Sequence, residues 1–458
     1  MENPYKPSPP GDEQPQFAES GSPHGVRPTN VRWTIFALAC GTSWMLYLHR
    51  YTFALIKPLL AEEYGLGKDD LGMLDAAFAL CYMVFQIPFG ILADTFGVRL
   101  VLFTLIFVWS IGLAMHAWAP NAASLWYARA TLGLGQSGTF AALIRLTKTW
   151  YPVTIRTTVQ GWVGVFSGRM GGVCSNVIFA TVLMGTFFLG WRTSIYIFAG
   201  LGILHSLLFL VIFRNSPRQH PWANAAEADL IEEVDPKAPA KPATKQMTTR
   251  EMFSKMTPRS IINLLCLNAQ TIFSTIADNI YSAWIPLFLV EVHGLNFKQM
   301  GIYSALPLLG GALGGLVGGY LNDWLIRKTG NLRWSRTGVG LAGKGGAAAL
   351  LLAAMLLFYD RPYIFCGMLF FIKLVGDTSL TTTWGAVSDI GGRTSATVFA
   401  YNNGVASLFA GLAPLMYGML AEHVSWTAVF IAAGASYVLC SLSWLLINCT
   451  IPVMPDER

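Results

Sequence analysis

Long apolar runs alternate with short polar breaks along almost the whole chain. A helix that crosses a bilayer needs about 20 mostly apolar residues. Twelve runs reach that length, at 31–56, 71–93, 99–118, 122–146, 158–184, 191–213, 260–290, 301–325, 337–358, 362–386, 395–420 and 426–448. The fourth and tenth are the most interrupted, by Thr, Gly and charge. One break is far longer than the others. Residues 214–259 hold Pro, Ala and Lys with few apolar positions, which predicts a cytoplasmic linker between a unit at 31–213 and a unit at 260–450. Within it, "NAAEADLIEEV" predicts a short surface helix capped by Asn224.

Composition agrees with this pattern. Hydrophobic residues make up 53% of the 458 and charged residues 12%, and mean hydropathy is +0.48. Soluble domains carry about 25% charged residues, so the chain reads as an all-α membrane protein. Residues 1–30 contain Pro, Ser, Gly and acids but no apolar core. They read as a disordered cytoplasmic tail and not a signal peptide. The seven cysteines are scattered through apolar runs without CxxC spacing, so they read as small buried hydrophobes.

Loop charges set the orientation, because Lys and Arg are retained on the cytoplasmic side. Arg27, Arg32, Arg99, Lys148, Arg156, the linker cations, Arg327, Lys328, Arg333 and Arg336 fall on one side. Lys57, Lys68, Arg192, Lys298 and Arg361 fall on the other. Both termini are therefore expected in the cytoplasm.

The two units echo each other. "GILADTFGVR" at 90–99 and "GGYLNDWLIRK" at 318–328 each place an Asp four residues after a Gly, with a basic residue beyond. Gly90 and Gly319 would let helices approach closely. Asp94 and Asp323 would bond to a neighbouring helix terminus or a loop arginine, Arg99 being the basic residue of the first motif. These residues read first as fold determinants, and second as a gate that opens once per cycle.

Ionisable residues inside apolar runs are expensive and point to function. The basic ones are Arg50, Arg129, Arg169, Lys344 and Lys373, and the acidic ones Asp75, Asp278 and Asp377. A surplus of positive charge within low-dielectric walls attracts anions. Arg50 is the strongest candidate, since a guanidinium stays charged and matches a carboxylate or phosphate bidentately. The alternative is an arginine reaching for the outer interface beside Lys57 and Pro58. Arg169 lies among glycines in "FSGRMGGV" and faces either a cavity or a tight helix contact. Lys373 and Asp377 are spaced for an intrahelical ion pair. The strings "GGALGGLVGG" and "GLAGKGG" sit inside apolar helices, so they are packing surfaces and not phosphate loops. No catalytic motif, ATP-binding segment, cofactor motif, nucleic-acid patch or metal-ligand spacing stands out, so any transport must draw on an ion or solute gradient.

The segments "YLHRYTFALIKPLL", "DLGMLDAAFALCYMVFQIPFGILADTFGVRLVL", "ARATLGLGQSGTF" and "WGAVSDIGGRTSATVFAYNNGVASLFAGLAPLMYG" resemble the anion:cation symporter family of the major facilitator superfamily. The resemblance implies twelve transmembrane helices in two pseudo-symmetric six-helix bundles that rock about a midplane site. It also implies secondary transport of a small organic anion, such as a hexuronate, an aldonate or a related carboxylate, with proton symport. Arg50 falls where the family has its substrate arginine. Tyr82, Ser167, Thr381, Thr383, Trp384 and Asn403 fall where its hydroxyl-reading residues lie, with Asn402 competing for the last role; Tyr47, about one turn before Arg50 on the same face, and Arg129, Gln136 and Arg169 complete the candidate substrate site. Two departures bear on coupling. His49 replaces an Asp, and Gln136 replaces a Glu that partners the arginine at Arg129. His49, Asp278 and Asp377 then become the proton-coupling candidates. Gln136 and Arg145 resemble an anion-exchanging branch, so exchange or uniport without a proton is the alternative. An anion sensor without turnover is the alternative of another class. The expected partners are the lipid bilayer, the anion, and a proton or counter-anion, with the chain acting as a monomer.

Overall fold

A computed structural model of the chain describes residues 27–232, 256–392 and 395–453. Most of the expected tail, and residues 233–255 of the linker, lie outside the described residues. Regular structure among the described residues is helical throughout.

The first unit contains α1 (Val31–Tyr64), α2 (Lys68–Phe96), α3 (Val98–Trp118), α4 (Ala122–Ser137), α5 (Thr139–Trp150), α6 (Val153–Gly161), α7 (Ser167–Cys174) and α8 (Trp191–Ile212). Two π-helical stretches, Trp162–Phe166 and Ser175–Met184, flank α7. After the linker helix α9 (Ala225–Glu232) come α10 (Pro258–Ala283), α11 (Ile285–Glu291), α12 (Phe297–Thr329), α13 (Leu332–Leu357), α14 (Pro362–Gly376), α15 (Thr378–Gly391), α16 (Ser395–His423) and α17 (Trp426–Leu446). Ten of the helical spans are long and apolar enough to cross a membrane. The first helix is not among them, because His49, Arg50, Lys57, Glu62 and Glu63 lower its hydropathy. Nor is the fourth run, which is divided.

Three of the expected helices are each broken once. The fourth run breaks at Gly138, the seventh at Trp284 and the tenth at Asp377. Gly138 sits at φ −87°, ψ −3° and Asp377 at φ −83°, ψ −4°, both in the bridge region that ends regular helical bonding. Pro286 follows Trp284 and has no N–H to continue the ladder.

Close packing uses glycine where it is needed. A Cβ on Gly310, Gly314 or Gly318 would run into the backbone carbonyls of Phe370, Leu374 and Thr378, so this stripe lets α12 lie against α14 and α15. Gly90 and Gly319 depart from expectation. An added Cβ would meet Ala141 at 3.6 Å and Thr381 at 3.8 Å, ordinary van der Waals distances, so neither position demands glycine in this conformation.

The linker helix forms at the expected place, and Asn224 Oδ1 accepts the Glu227 N–H at 2.9 Å. It is not a free surface helix, however. Ala226, Glu227, Ala228 and Ile231 are buried. The Glu227 carboxylate accepts the backbone N–H of Asn30 at 3.0 Å and of Arg32 at 3.1 Å, and the Arg32 guanidinium at 3.2 Å. Asn30 lacks a side-chain cap of its own, so an acid from the linker caps α1 instead.

Polar contacts between the first unit and the second gather toward one end. Lys68 pairs with Glu291 at 3.3 Å and Glu422 at 3.5 Å. Thr181 donates to the Lys298 carbonyl at 3.0 Å. Lys57 donates to the Ala283 carbonyl at 2.8 Å, and deeper in, Arg169 meets Asp377. At the opposite end no described ion pair joins the two units: Arg145 holds Asp94 and Arg336 holds Asp389 within their own units.

Candidate functional site

Arg50 occupies an aromatic box. Its guanidinium carbon lies 5.2 Å from the Tyr47 ring centroid, 5.1 Å from Phe78 and 4.8 Å from Tyr82. Its Nε donates to Gln136 Oε1 at 3.0 Å. Gln136 is itself fixed, because its Nε2 donates to the Leu46 carbonyl at 3.0 Å. Gln136 is fully buried, so both halves of its amide must be satisfied. Arg50 Nη2 is buried and has no partner among the described residues. The outcome is a half-buried fork, clamped at one nitrogen by a neutral amide and faced by no carboxylate. Arg50 does not reach for an outer interface.

Gln136 takes one acid away from Arg129, but the structure supplies another from α2. Arg129 Nη2 meets Asp75 Oδ1 at 2.7 Å and its Nε donates to the Leu74 carbonyl at 3.1 Å. Asp75 also binds Lys57, at 2.6 Å. The loop assignment of Lys57 is corrected too, for this lysine is fully buried, with its Nζ 3.7 Å from the Trp284 ring centroid. A buried ammonium needs such partners to offset lost hydration. Lys57 is the residue that sequence reasoning missed. Its spacing of seven from Arg50, two helical turns, was the available signal.

A second charged cluster lies on the other unit. Lys373 bridges Asp377 at 2.7 Å and Asp278 at 2.6 Å. Lys344 reaches Asp278 at 2.9 Å, and the Tyr437 hydroxyl donates to the same carboxylate at 2.8 Å. Arg169 crosses from the first unit to Asp377 at 2.5 Å. The intrahelical Lys373–Asp377 pair is therefore present, but as one edge of a network of five charged residues and Tyr437. Tyr47, Tyr51, Arg169, Asp278, Asn279 and Lys373 line a common cavity of about 280 Å³.

The remaining expected residues scatter. His49 is buried on the face toward α8, its Nε2 2.9 Å from the Phe198 carbonyl, with Gly202 beside the ring. The structure does not bring it to Arg50's fork. Ser167 hydrogen-bonds with the Cys40 thiol. Thr383 is buried, donates to the Ser379 carbonyl at 3.0 Å and accepts from Gln270 at 3.3 Å. Thr381 Oγ1 is buried without a described partner, whereas Trp384 is exposed. Asn402 is buried and donates to Asn268 and Thr271, while Asn403 is half-buried. Asp94 holds Arg145, as a carboxylate at a helix end can. Arg99 donates to the Leu210 carbonyl at 2.8 Å, and Asp323 is exposed.

The half-buried Arg50 guanidinium lies inside a helical membrane protein, and the comparisons with known proteins give that protein's class. The family profile of the Major Facilitator Superfamily matches residues 39–389. The chain belongs to that superfamily; it is an integral membrane transporter and not an enzyme. It is 29% identical to the probable sulfoacetate transporter SauU of Cupriavidus necator, over 93% of this chain and 96% of that protein. It is 26% identical to the probable galactarate/D-glucarate transporter GudP of Escherichia coli strain K12, over 92% and 94%. Among solved structures, a bacterial homolog of the human lysosomal transporter Spinster, inward-facing and unoccupied, gives a TM-score of 0.71 at 17% identity, covering 91% of this chain and 95% of that one. The D-xylose-proton symporter gives 0.70 at 15% identity, covering 91% and 98%.

Proposed function

We propose that this protein carries a small organic anion across the membrane by alternating access, with Arg50 holding an acid group of the substrate. The observation that carries this reading is the Arg50 fork, held by Gln136 within three rings and lacking any carboxylate partner. Fixing the fork in advance spares the entropy of ordering it on binding. The relatives' names speak of sulfoacetate, galactarate and D-glucarate, which supports a substrate among small hydroxylated or sulfonated carboxylates. Tyr47 and Tyr82 supply ring faces and hydroxyls beside the fork, and Thr381, Trp384 and Asn403 are further candidates for reading the substrate.

The twelve apolar runs, the linker and the paired Gly–Asp motifs support two six-helix halves, 31–213 and 260–450, that move about this site. Loop charge supports cytoplasmic termini. In that orientation the Lys68, Lys298 and Lys57 contacts close the outer side and the cavity opens inward. The chain works as a monomer in this reading.

A second reading concerns coupling. Asp75, Asp278 and Asp377 are each held by two cations, and His49 is spent on a helix contact. This arrangement favours exchange or uniport over proton symport.

Uptake into proteoliposomes tests both readings. Radiolabelled D-glucarate and sulfoacetate should enter vesicles preloaded with the same anion, without acidifying an internal pH-sensitive dye. Absence of uptake for every small organic acid tried would sink the transport reading. Internal acidification in step with uptake would restore proton symport.

A further inference from the structure

We infer that the cluster Arg169–Asp377–Lys373–Asp278–Lys344 is a second anion subsite, with Asp377 as its resident counter-ion, so that the substrate carries two acid groups. The inference rests on the reading that Arg50 takes the first group.

Charge balance carries it. Three cations, Arg169, Lys373 and Lys344, face two carboxylates, Asp278 and Asp377. One positive charge is left over. Arg50 adds a second unbalanced charge, since its described polar partners, the Gln136 amide and the Tyr82 hydroxyl, are both neutral. One aromatic ring borders both surplus charges. The Tyr47 ring stacks on Arg50 and also lines the cavity that Arg169 and Lys373 border. A one-headed anion would neutralise one pole and leave the other charged in a low-dielectric site. A two-headed anion neutralises both.

The seat of the Arg169–Asp377 pair is built for it. A Cβ on Gly311 would stand 2.5 Å from both Arg169 Nη1 and Asp377 Oδ2, so the helix opposite is thinned at this point. Asp377 is 1% exposed and Lys373 4%, whereas the Arg169 side chain is 24% exposed, toward the cavity. Arg169 can therefore accept an entering acid group while Lys373 keeps Asp377. Asp377 sits at the break between α14 and α15. It sets how much charge the subsite shows to an incoming anion.

The test is a calorimetric titration of the full-length protein in detergent with two matched pairs of probes. Succinate is compared with succinamate, and D-glucarate with D-gluconate, each pair differing by one acid group. Wild type should bind at least one diacid about tenfold or more tighter than its one-headed partner, the scale of one close charge pair. Arg169→Gln removes the surplus charge and should erase that preference. Asp377→Asn adds a surplus charge and should strengthen the diacid. The double variant Arg169→Gln/Asp377→Asn restores the original surplus of one positive charge, now as two cations against one carboxylate. It should therefore regain part of the preference, a rescue that a merely structural pair would not give. Preference retained in Arg169→Gln, no rescue in the double variant, or wild type binding neither diacid would overturn the inference. If Arg50→Ala abolishes binding while Arg169→Gln keeps the preference, the transport reading survives and the second subsite does not. Unchanged binding in Arg50→Ala would instead remove the reading beneath it.

Discussion

Gln136→Glu puts a carboxylate where the structure has the amide that clamps Arg50. The native contact is Arg50 Nε to Gln136 Oε1 at 3.0 Å, with Gln136 Nε2 donating to the Leu46 carbonyl. The substitution changes both ends. One oxygen would pair with Arg50, and the other would face a carbonyl with no proton to give. At 3.0 Å, the attraction between unit charges is about 5 kcal/mol at an effective dielectric of 20 and about 1.4 kcal/mol in bulk water. A substrate carboxylate would compete with that internal partner, so its affinity should fall by about 10- to 1000-fold near pH 8. When the new glutamic acid is protonated it resembles glutamine, so affinity should recover as pH falls. Calorimetry of D-glucarate binding at several pH values, wild type beside variant, reads both effects. A variant that tracks wild type at every pH would mean that position 136 does not sense the bound anion, and the Arg50 site would lose its clamp.

Lys57→Met leaves Asp75 with one cation and cuts the link to the Ala283 carbonyl, so the outer contact should weaken by about 3–5 kcal/mol; a longer spin-label distance between positions 68 and 422 would register it, and an unchanged distance would refute it. Gly314→Leu drives a side chain into the Leu374 carbonyl, and should lower stability by about 1–3 kcal/mol or more, read as a drop in thermal midpoint; an unaltered midpoint would contradict the packing of α12. His49→Asn should leave the pH profile of uptake unchanged, because the ring is committed to Phe198 and lies away from Arg50; a flattened profile would make His49 the proton carrier after all. Glu227→Gln should loosen the docked linker helix and raise amide exchange at residues 30–32, and unchanged protection would show that the acid is not needed as a cap.

Arg50 was legible because a guanidinium in an apolar run has few uses. The Lys373–Asp377 pair was legible because four residues make one helical turn. The linker helix was legible from Asn224 and its apolar pattern, but its docking was not, since nothing near Glu227 in sequence announces the N-terminus of α1. The partner of Arg129 was missed for the same reason. Asp75 lies 54 residues away, and helix spacing speaks only of neighbours within a helix. Lys57 was misread because a lysine near Pro58 looks like a loop residue, and only the Trp284 ring and Asp75 on other helices reveal its burial. The break at Trp284 was hidden because apolar composition runs through it, whereas Thr, Gly and charge marked the tenth run as interrupted around Asp377. Gly90 and Gly319 show the reverse limit: a repeated glycine is visible in sequence, while the neighbour it spares belongs to one conformation.

Arg50→Lys tests the central claim most directly. Lysine keeps the charge but loses the planar fork and the Nε that Gln136 holds. Uptake of radiolabelled D-glucarate and sulfoacetate by proteoliposomes should fall to the level of protein-free vesicles, with calorimetric affinity weaker by about 30-fold or more, as for a lost charge-assisted contact of 2–5 kcal/mol. Uptake and affinity equal to wild type in Arg50→Lys would contradict the account, because the anion would then be held without the fork.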